Sequence, residues 1–187
     1  EGRFFETSFV YIPEGIKEGK LPRENMVLTI GMYGNADFFD LKGIVQELFD
    51  VLGIKNVEYL PEKDNPTFHP GRTAKILLNG EKIGVIGEIH PDVVQEFEAP
   101  ERTYIGVIEI EPLVKNADLG RDYRPLPKYP AVIRDIALLV KDEILVIEIE
   151  NIIRKYSGPI LEDIKLFDVY KGKQITEGMK SIAYTIT

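Results

Sequence analysis

The sequence predicts an α+β protein built of two units: an antiparallel sheet with helices over residues 1–118 and an incomplete β-α-β-β unit over residues 119–187. Three observations predict it. Short runs rich in aromatic and β-branched residues recur between Gly, Pro and Asn breaks, the pattern of half-buried strands. Helical periodicity is confined to a few stretches, chiefly residues 41–52 and 144–156. Between the halves, residues 115–130 gather Gly120, Pro125, Pro127 and Pro130 among charged side chains, a composition that closes one unit before the next opens.

Taken in order, residues 3–12 read as a strand ended by Pro13 and Gly15, and residues 13–25 as a polar loop. Residues 26–33 form a second strand, broken by Gly34-Asn35. Asp40 is placed to cap a helix whose apolar stripe runs from Leu41 to Leu52, with Gly53 as its C-cap. Short strands follow near 56–60 and 74–78, with His69 in a loop before the second. Asn79-Gly80 suits the two positive-φ positions of a type I′ hairpin and joins 74–78 to 82–89. His90-Pro91 opens a helix reaching Phe97, since Pro is pre-set for a first turn. Residues 103–111 form a further strand. Beyond a boundary near Leu119, strand 131–140, helix 144–156 ended by Gly158-Pro159, strand 160–170 and strand 181–187 follow. This β-α-β-β order is a ferredoxin-like unit two elements short of βαββαβ.

With no cysteine, the chain forms no disulfide and no thiolate metal site, which suits a reducing cytoplasm. Its longest apolar runs are about five residues, as at Ile136 to Val140, against the roughly 20 a membrane helix needs. No secretory signal pattern opens the chain. It starts at Glu1 inside a strand-like run, and we read it as a piece of a longer protein. The net charge of −8 argues against broad nucleic-acid binding, yet it is unevenly spread. Residues 1–120 carry 12 Lys+Arg against 21 Asp+Glu, residues 121–187 carry 11 against 10. An RNA contact therefore belongs in the second unit, and protein packing suits the first.

Few residues recommend chemistry. His69 and His90, with Glu88 and Asp92 near, make a metal-assisted hydrolase conceivable, but a metal needs three or four convergent ligands. The expected role of both rings is to hydrogen-bond loop backbone, and no metal is expected. Gly80, Gly84 and Gly87 lack the Gly-Lys-Ser/Thr of a phosphate loop, so Gly84 and Gly87 are expected to let strands approach closely. No Gly-x-Ser-x-Gly elbow is present.

A resemblance adds to this reading. Arg3 to Ile12 with Phe38-Phe39-Asp40-Leu41-Lys42-Gly43, then Phe68-His69-Pro70-Gly71-Arg72-Thr73-Ala74 and Gly84 to Pro91, resemble the catalytic-like module of the bacterial phenylalanine–tRNA ligase β chain. Leu126 to Pro130, Arg134-Asp135-Ile136-Ala137 and Leu166 to Tyr170 resemble its ferredoxin-fold anticodon-binding domain. Each motif alone is weak, but the ordered set spans nearly the whole chain.

The resemblance implies a class II synthetase-like module at 1–118 and an anticodon-binding domain, incomplete at its C-terminus, at 119–187. It implies a cytoplasmic assembly of two α and two β chains, in which the α chain activates phenylalanine with ATP and Mg²⁺ and charges tRNA(Phe). The family's magnesium-related and editing regions lie outside this stretch. A class II site grips triphosphate with an arginine in a Gly-x-Gly-x-x-Arg strand–helix segment. The corresponding stretch here, Tyr104 to Ile110, has one glycine and Glu109 where positive charge is wanted, and reads as an ordinary alternating strand. No catalytic residue and no bound cofactor are therefore expected in this chain itself. Arg124, Lys128, Tyr129 and Arg134 are the expected tRNA contacts, through phosphate neutralisation and base stacking, with Lys165, Lys171 and Lys173 adding to the same face. Phe38, Phe39 and Phe68 are expected as core or subunit-interface anchors. The rival from another class is a stand-alone ferredoxin-like regulator that binds a small molecule, supported by the βαββ order alone.

Overall fold

The structure is a computed structural model that describes residues 1–13, 21–120, 128–172 and 174–187. Contacts divide it into two units, Glu1–Asp122 and Tyr123–Thr187.

In the first unit, β1 (Gly2–Ile12) and β2 (Arg23–Tyr33) form an antiparallel ladder in unbroken register. Two glycines in this ladder are covered by cross-strand rings: a Cβ on Gly31 would run into Phe4, and one on Gly2 into Tyr33. Then come α1 (Phe38–Val51), β3 (Val57–Pro61), β4 (Phe68–Leu78) and β5 (Glu81–Ile89). The unit ends with α2 (Pro91–Glu96), β6 (Tyr104–Glu109) and α3 (Ile110–Asn116). The six strands make one antiparallel sheet in the order β1-β2-β6-β5-β4-β3.

The core sits where α1 crosses β5 and β6. Leu41, Val45 and Phe49 of α1 are fully buried with Met32, Ile76, Ile86 and Ile108 of the sheet. Leu41 packs over Gly106, 3.6 Å from the place a Cβ there would occupy, an ordinary contact distance. The opposite face carries a second cluster, Phe68, Val85 and Ile89, covered by Val93 and Val94 of α2. Gly84 and Gly87 do mark close approach: a Cβ at Gly84 would meet the Val107 carbonyl oxygen at 2.5 Å.

Several local expectations shift. Asp37, not Asp40, caps α1: its Oδ1 accepts from the Phe39 and Asp40 amides at 2.7 and 3.0 Å. Asp40 closes the box by accepting from the Asp37 amide, so the helix starts three residues early, with Phe38 packed on the core. Leu52 is the C-cap, and Gly53 follows it in the left-handed region at φ +66°. The stretch holding His69, Phe68 to Thr73, is not a loop. It begins β4, because Phe68 pairs with Ile89 and a register shift before Thr73 absorbs Pro70 and Gly71. Strand 103–111 stops at Glu109, and α3 takes the next residues. Pro112 is tolerated in that first turn, Leu113 is buried, and Lys115 pairs with Glu111 one turn back at 2.6 Å.

The second unit holds β7 (Arg134–Lys141), α4 (Val146–Ser157), β8 (Ile164–Tyr170) and β9 (Met179–Ile186), with Gly158–Ile160 as a 3-10 turn after the helix. The antiparallel sheet runs β7-β9-β8. β7 and β8 are thus parallel to each other and joined through α4, as the β-α-β half of a ferredoxin-like unit requires. Alternation sends Ile136, Leu138 and Val140 of β7 and Ile182 and Tyr184 of β9 toward Ile149 of α4.

Candidate nucleic-acid interface

Alternate residues of the three-stranded sheet that do not meet α4 form an open face. Cross-strand partners share a face, so the register writes this face as three rows. They are Asp135–Thr185–Lys165, Ala137–Ala183–Asp168 and Leu139–Ser181–Tyr170. Small Ala137 and Ala183 make a flat centre. Around it stand Leu139, exposed by 57%, Tyr170 by 43%, and Phe167 by 53%. Phe167 falls at the register shift between Leu166 and Asp168, a bulge that re-aims the strand. Lys165 has no ion-pair partner among the described residues, while Asp135 is occupied in accepting from the Thr185 hydroxyl at 2.8 Å. Exposed aromatics on a flat sheet beside a cation make a surface on which bases can stack.

The sequence-derived contacts do not all gather there. Tyr129 is 82% exposed, and Lys128 beside it has no ion-pair partner among the described residues. Arg134 and Lys165 flank the same end of β9, opposite Ile186 and Thr185 respectively, but on different faces. Arg134 also turns its guanidinium back to the Ile133 carbonyl at 2.9 Å. Lys171 stands six residues along the chain from Lys165, about 20 Å for a strand, so the two do not make one cluster. Its ammonium is held by Asp142 at 2.9 Å. Arg124 and Lys173 lie outside the described residues. The sequence pattern does not mark Phe167 and Tyr170 as uncovered, because a strand's aromatics look the same in sequence whether a helix covers them or not.

In the first unit Phe68 is buried inside its own cluster, Phe38 lies partly buried on the main core, and Phe39 is 73% exposed, edge-on to Phe38. His69 Nδ1 accepts from the Gly71 amide at 3.0 Å and His90 Nδ1 from the Asp92 amide at 3.3 Å, so each ring shapes a turn. Among the described residues no three His, Asp or Glu side chains converge as metal ligands. Arg72 donates to both Glu88 oxygens at 2.6 and 2.7 Å, tying β4 to β5. Beside them, burial first and the Glu88 carboxylate second push the Tyr104 phenol up. An apolar pocket of about 360 Å³ opens over β1, β2 and α1, and among the described residues Arg3 is the one cation in its wall. Glu109 stands at the β6–α3 junction.

Comparison with known proteins follows the same division. A family model described as the phenylalanyl tRNA synthetase beta chain CLM domain matches residues 1–110. A second, the ferredoxin-fold anticodon binding domain, matches residues 127–187. Proteins named phenylalanine–tRNA ligase beta subunit match from Clostridium acetobutylicum, 50% identical over 99% of this chain, and from Clostridium tetani, 53% identical over 98%. The chain spans 23% of the length of each of these relatives. A solved pyrrolysyl tRNA synthetase from Desulfitobacterium hafniense is 16% identical, with a TM-score of 0.48 over 60% of this chain and 39% of its own. A family model over more than half of its residues, with a second over most of the rest, shows the family: the chain belongs to the phenylalanyl-tRNA synthetase β-chain family.

Proposed function

We propose that this chain is a non-catalytic part of the phenylalanine–tRNA ligase β subunit. Its first unit, a class II-like module without the phosphate-gripping arginine, packs on the catalytic α chain of an α2β2 assembly in the cytoplasm. That assembly uses ATP and Mg²⁺ to charge tRNA(Phe), and the second unit holds the tRNA by its anticodon region. The observation that carries the reading is the open sheet face of the second unit, where Phe167, Tyr170 and Lys165 stand free of helical cover among the described residues. Lys128 and Tyr129 add an exposed cation and ring just ahead of β7.

The test is binding of the tRNA(Phe) anticodon stem-loop to this chain, followed by fluorescence anisotropy across a salt series. Base stacking on an aromatic is worth about 1–3 kcal/mol, so Tyr170→Ala should weaken binding by roughly 5- to 150-fold. Lys165→Ala should lower the salt slope by about one. Equal binding by wild type and both variants would refute the interface. ATP–pyrophosphate exchange by the chain alone should stay at background, and robust exchange would refute the non-catalytic assignment. Calorimetry with free phenylalanine separates the regulator reading, which requires tight binding of a small molecule.

A further inference from the structure

Asn79-Gly80 is the one Asn-Gly pair in the chain. Asparagine is a chemically labile residue, and most so before glycine. The glycine nitrogen attacks the asparagine Cγ, and a residue with no Cβ does not screen that approach. Both residues are exposed at the tip of the β4–β5 hairpin, and nothing lies within 4 Å of the place a Gly80 Cβ would occupy. Among the described residues the Gly80 amide meets no acceptor. Water and base therefore reach the reacting atoms.

Two features oppose the reaction. The first is the turn itself. Asn79 at φ +52° and Gly80 at φ +86° are the central pair of a type I′ turn, closed by Leu78 opposite Glu81. Such a turn sets ψ of its first central residue to about +30°. In an L-residue Cβ stands about 120° from the backbone nitrogen around the Cα–C bond, so the Gly80 nitrogen lies roughly 150° from the Asn79 Cβ. Ring closure needs the two eclipsed. The second feature is a hydrogen-bond chain that holds both ends of the Asn79 carboxamide. Its Oδ1 accepts from Asn56 Nδ2 at 3.3 Å, and its Nδ2 donates to Asn116 Oδ1 at 3.2 Å. Asn116 is anchored in turn, donating to the Pro112 carbonyl at 2.9 Å. Asn56 reaches in from just ahead of β3, and Asn116 from the last residue of α3.

We propose that the Asn56–Asn79–Asn116 chain guards a deamidation site: it keeps Asn79 from cyclising onto Gly80 while the first unit is folded, and the site converts when the ladder opens. In that conversion a bond forms from the Gly80 nitrogen to Asn79 Cγ, the Cγ–Nδ2 bond breaks, and the Gly80 amide proton leaves with Nδ2 as ammonia. Water then opens the succinimide at either carbonyl, giving aspartate or isoaspartate. The new carboxylate has no proton to donate to Asn116 Oδ1, so conversion cuts the tie between the hairpin and α3.

The test follows the tryptic peptide 76–82 of the full-length β polypeptide by mass spectrometry during incubation in mildly alkaline buffer. The urea-unfolded polypeptide gives the unguarded rate. The folded one should convert at least roughly tenfold more slowly, since each of two hydrogen bonds is worth about fivefold. Asn116→Ala should speed conversion about fivefold, and so should Asn56→Gly, which removes the other partner at a position of φ +59° that glycine accepts. Asn116→Asp keeps an acceptor for Asn79 Nδ2 and should stay near the wild-type rate. A folded rate equal to the unfolded one overturns the proposal. So does the absence of acceleration in either Asn116→Ala or Asn56→Gly, or an Asn116→Asp rate as fast as that of Asn116→Ala.

Discussion

Gly84 offers the sharpest test of how the first sheet is built. A Cβ there would stand 2.5 Å from the Val107 carbonyl oxygen and 3.1 Å from the Ile108 Cα, both backbone atoms of β6. Carbon and carbonyl oxygen rest at about 3.3–3.6 Å, so Gly84→Ala forces β5 and β6 apart by close to an ångström. β6 cannot retreat, because it is also paired with β2 along Val27 to Met32. Overpacking of this kind costs about 1–3 kcal/mol, and stretching a neighbouring ladder bond adds about 1 kcal/mol. We expect a loss of about 3 kcal/mol, a fall of roughly 12 °C in the melting temperature of a unit this size. Differential scanning calorimetry of the first unit's transition measures it. Gly43→Ala is the opposite-signed control: it lies exposed in α1 with nothing within 4 Å of its Cβ position, and should stabilise by about 0.5–1 kcal/mol. A Gly84→Ala transition within about 1 °C of wild type, corresponding to a few tenths of a kcal/mol, would refute the close-approach argument.

Asp37→Ala removes the acceptor of two α1 amides and should cost about 1 kcal/mol in urea unfolding, whereas Asp37→Asn should restore most of it. Tyr184 is fully buried, and burial first and the Glu150 carboxylate second push its phenol up to about 12. The unfolded chain releases this proton near pH 10, so the contribution is complete below pH 10 and is lost as pH rises from 10 to about 12. Tyr184→Phe should therefore flatten the alkaline loss of stability in the second unit, read by circular dichroism across that range; an unchanged slope would count against the buried phenol.

Features that depend on neighbours a few residues away are legible in the chain's order of residues. Asn79-Gly80 takes the two positive φ values of its turn, 52° and 86°, because the turn's own geometry selects those residues. The α1 stripe and the His90-Pro91 helix start were equally legible, since periodicity and capping act within one or two turns. The ordered motifs also pointed to the family that the comparisons establish. Tertiary structure alone decided the rest. Phe68 joins a strand only because Ile89 lies beside it, and β6 sits between β2 and β5 by pairings that no local rule encodes. Lys165 and Lys171 look like neighbours in a list of cations, yet strand rise separates them and Asp142 neutralises one. Which aromatics stay uncovered, such as Phe167 and Tyr170, is set by where helices land. Helix placement depends on long-range packing of whole faces, and an alternating strand pattern is the same whether its outer face meets a helix, a nucleic acid or water.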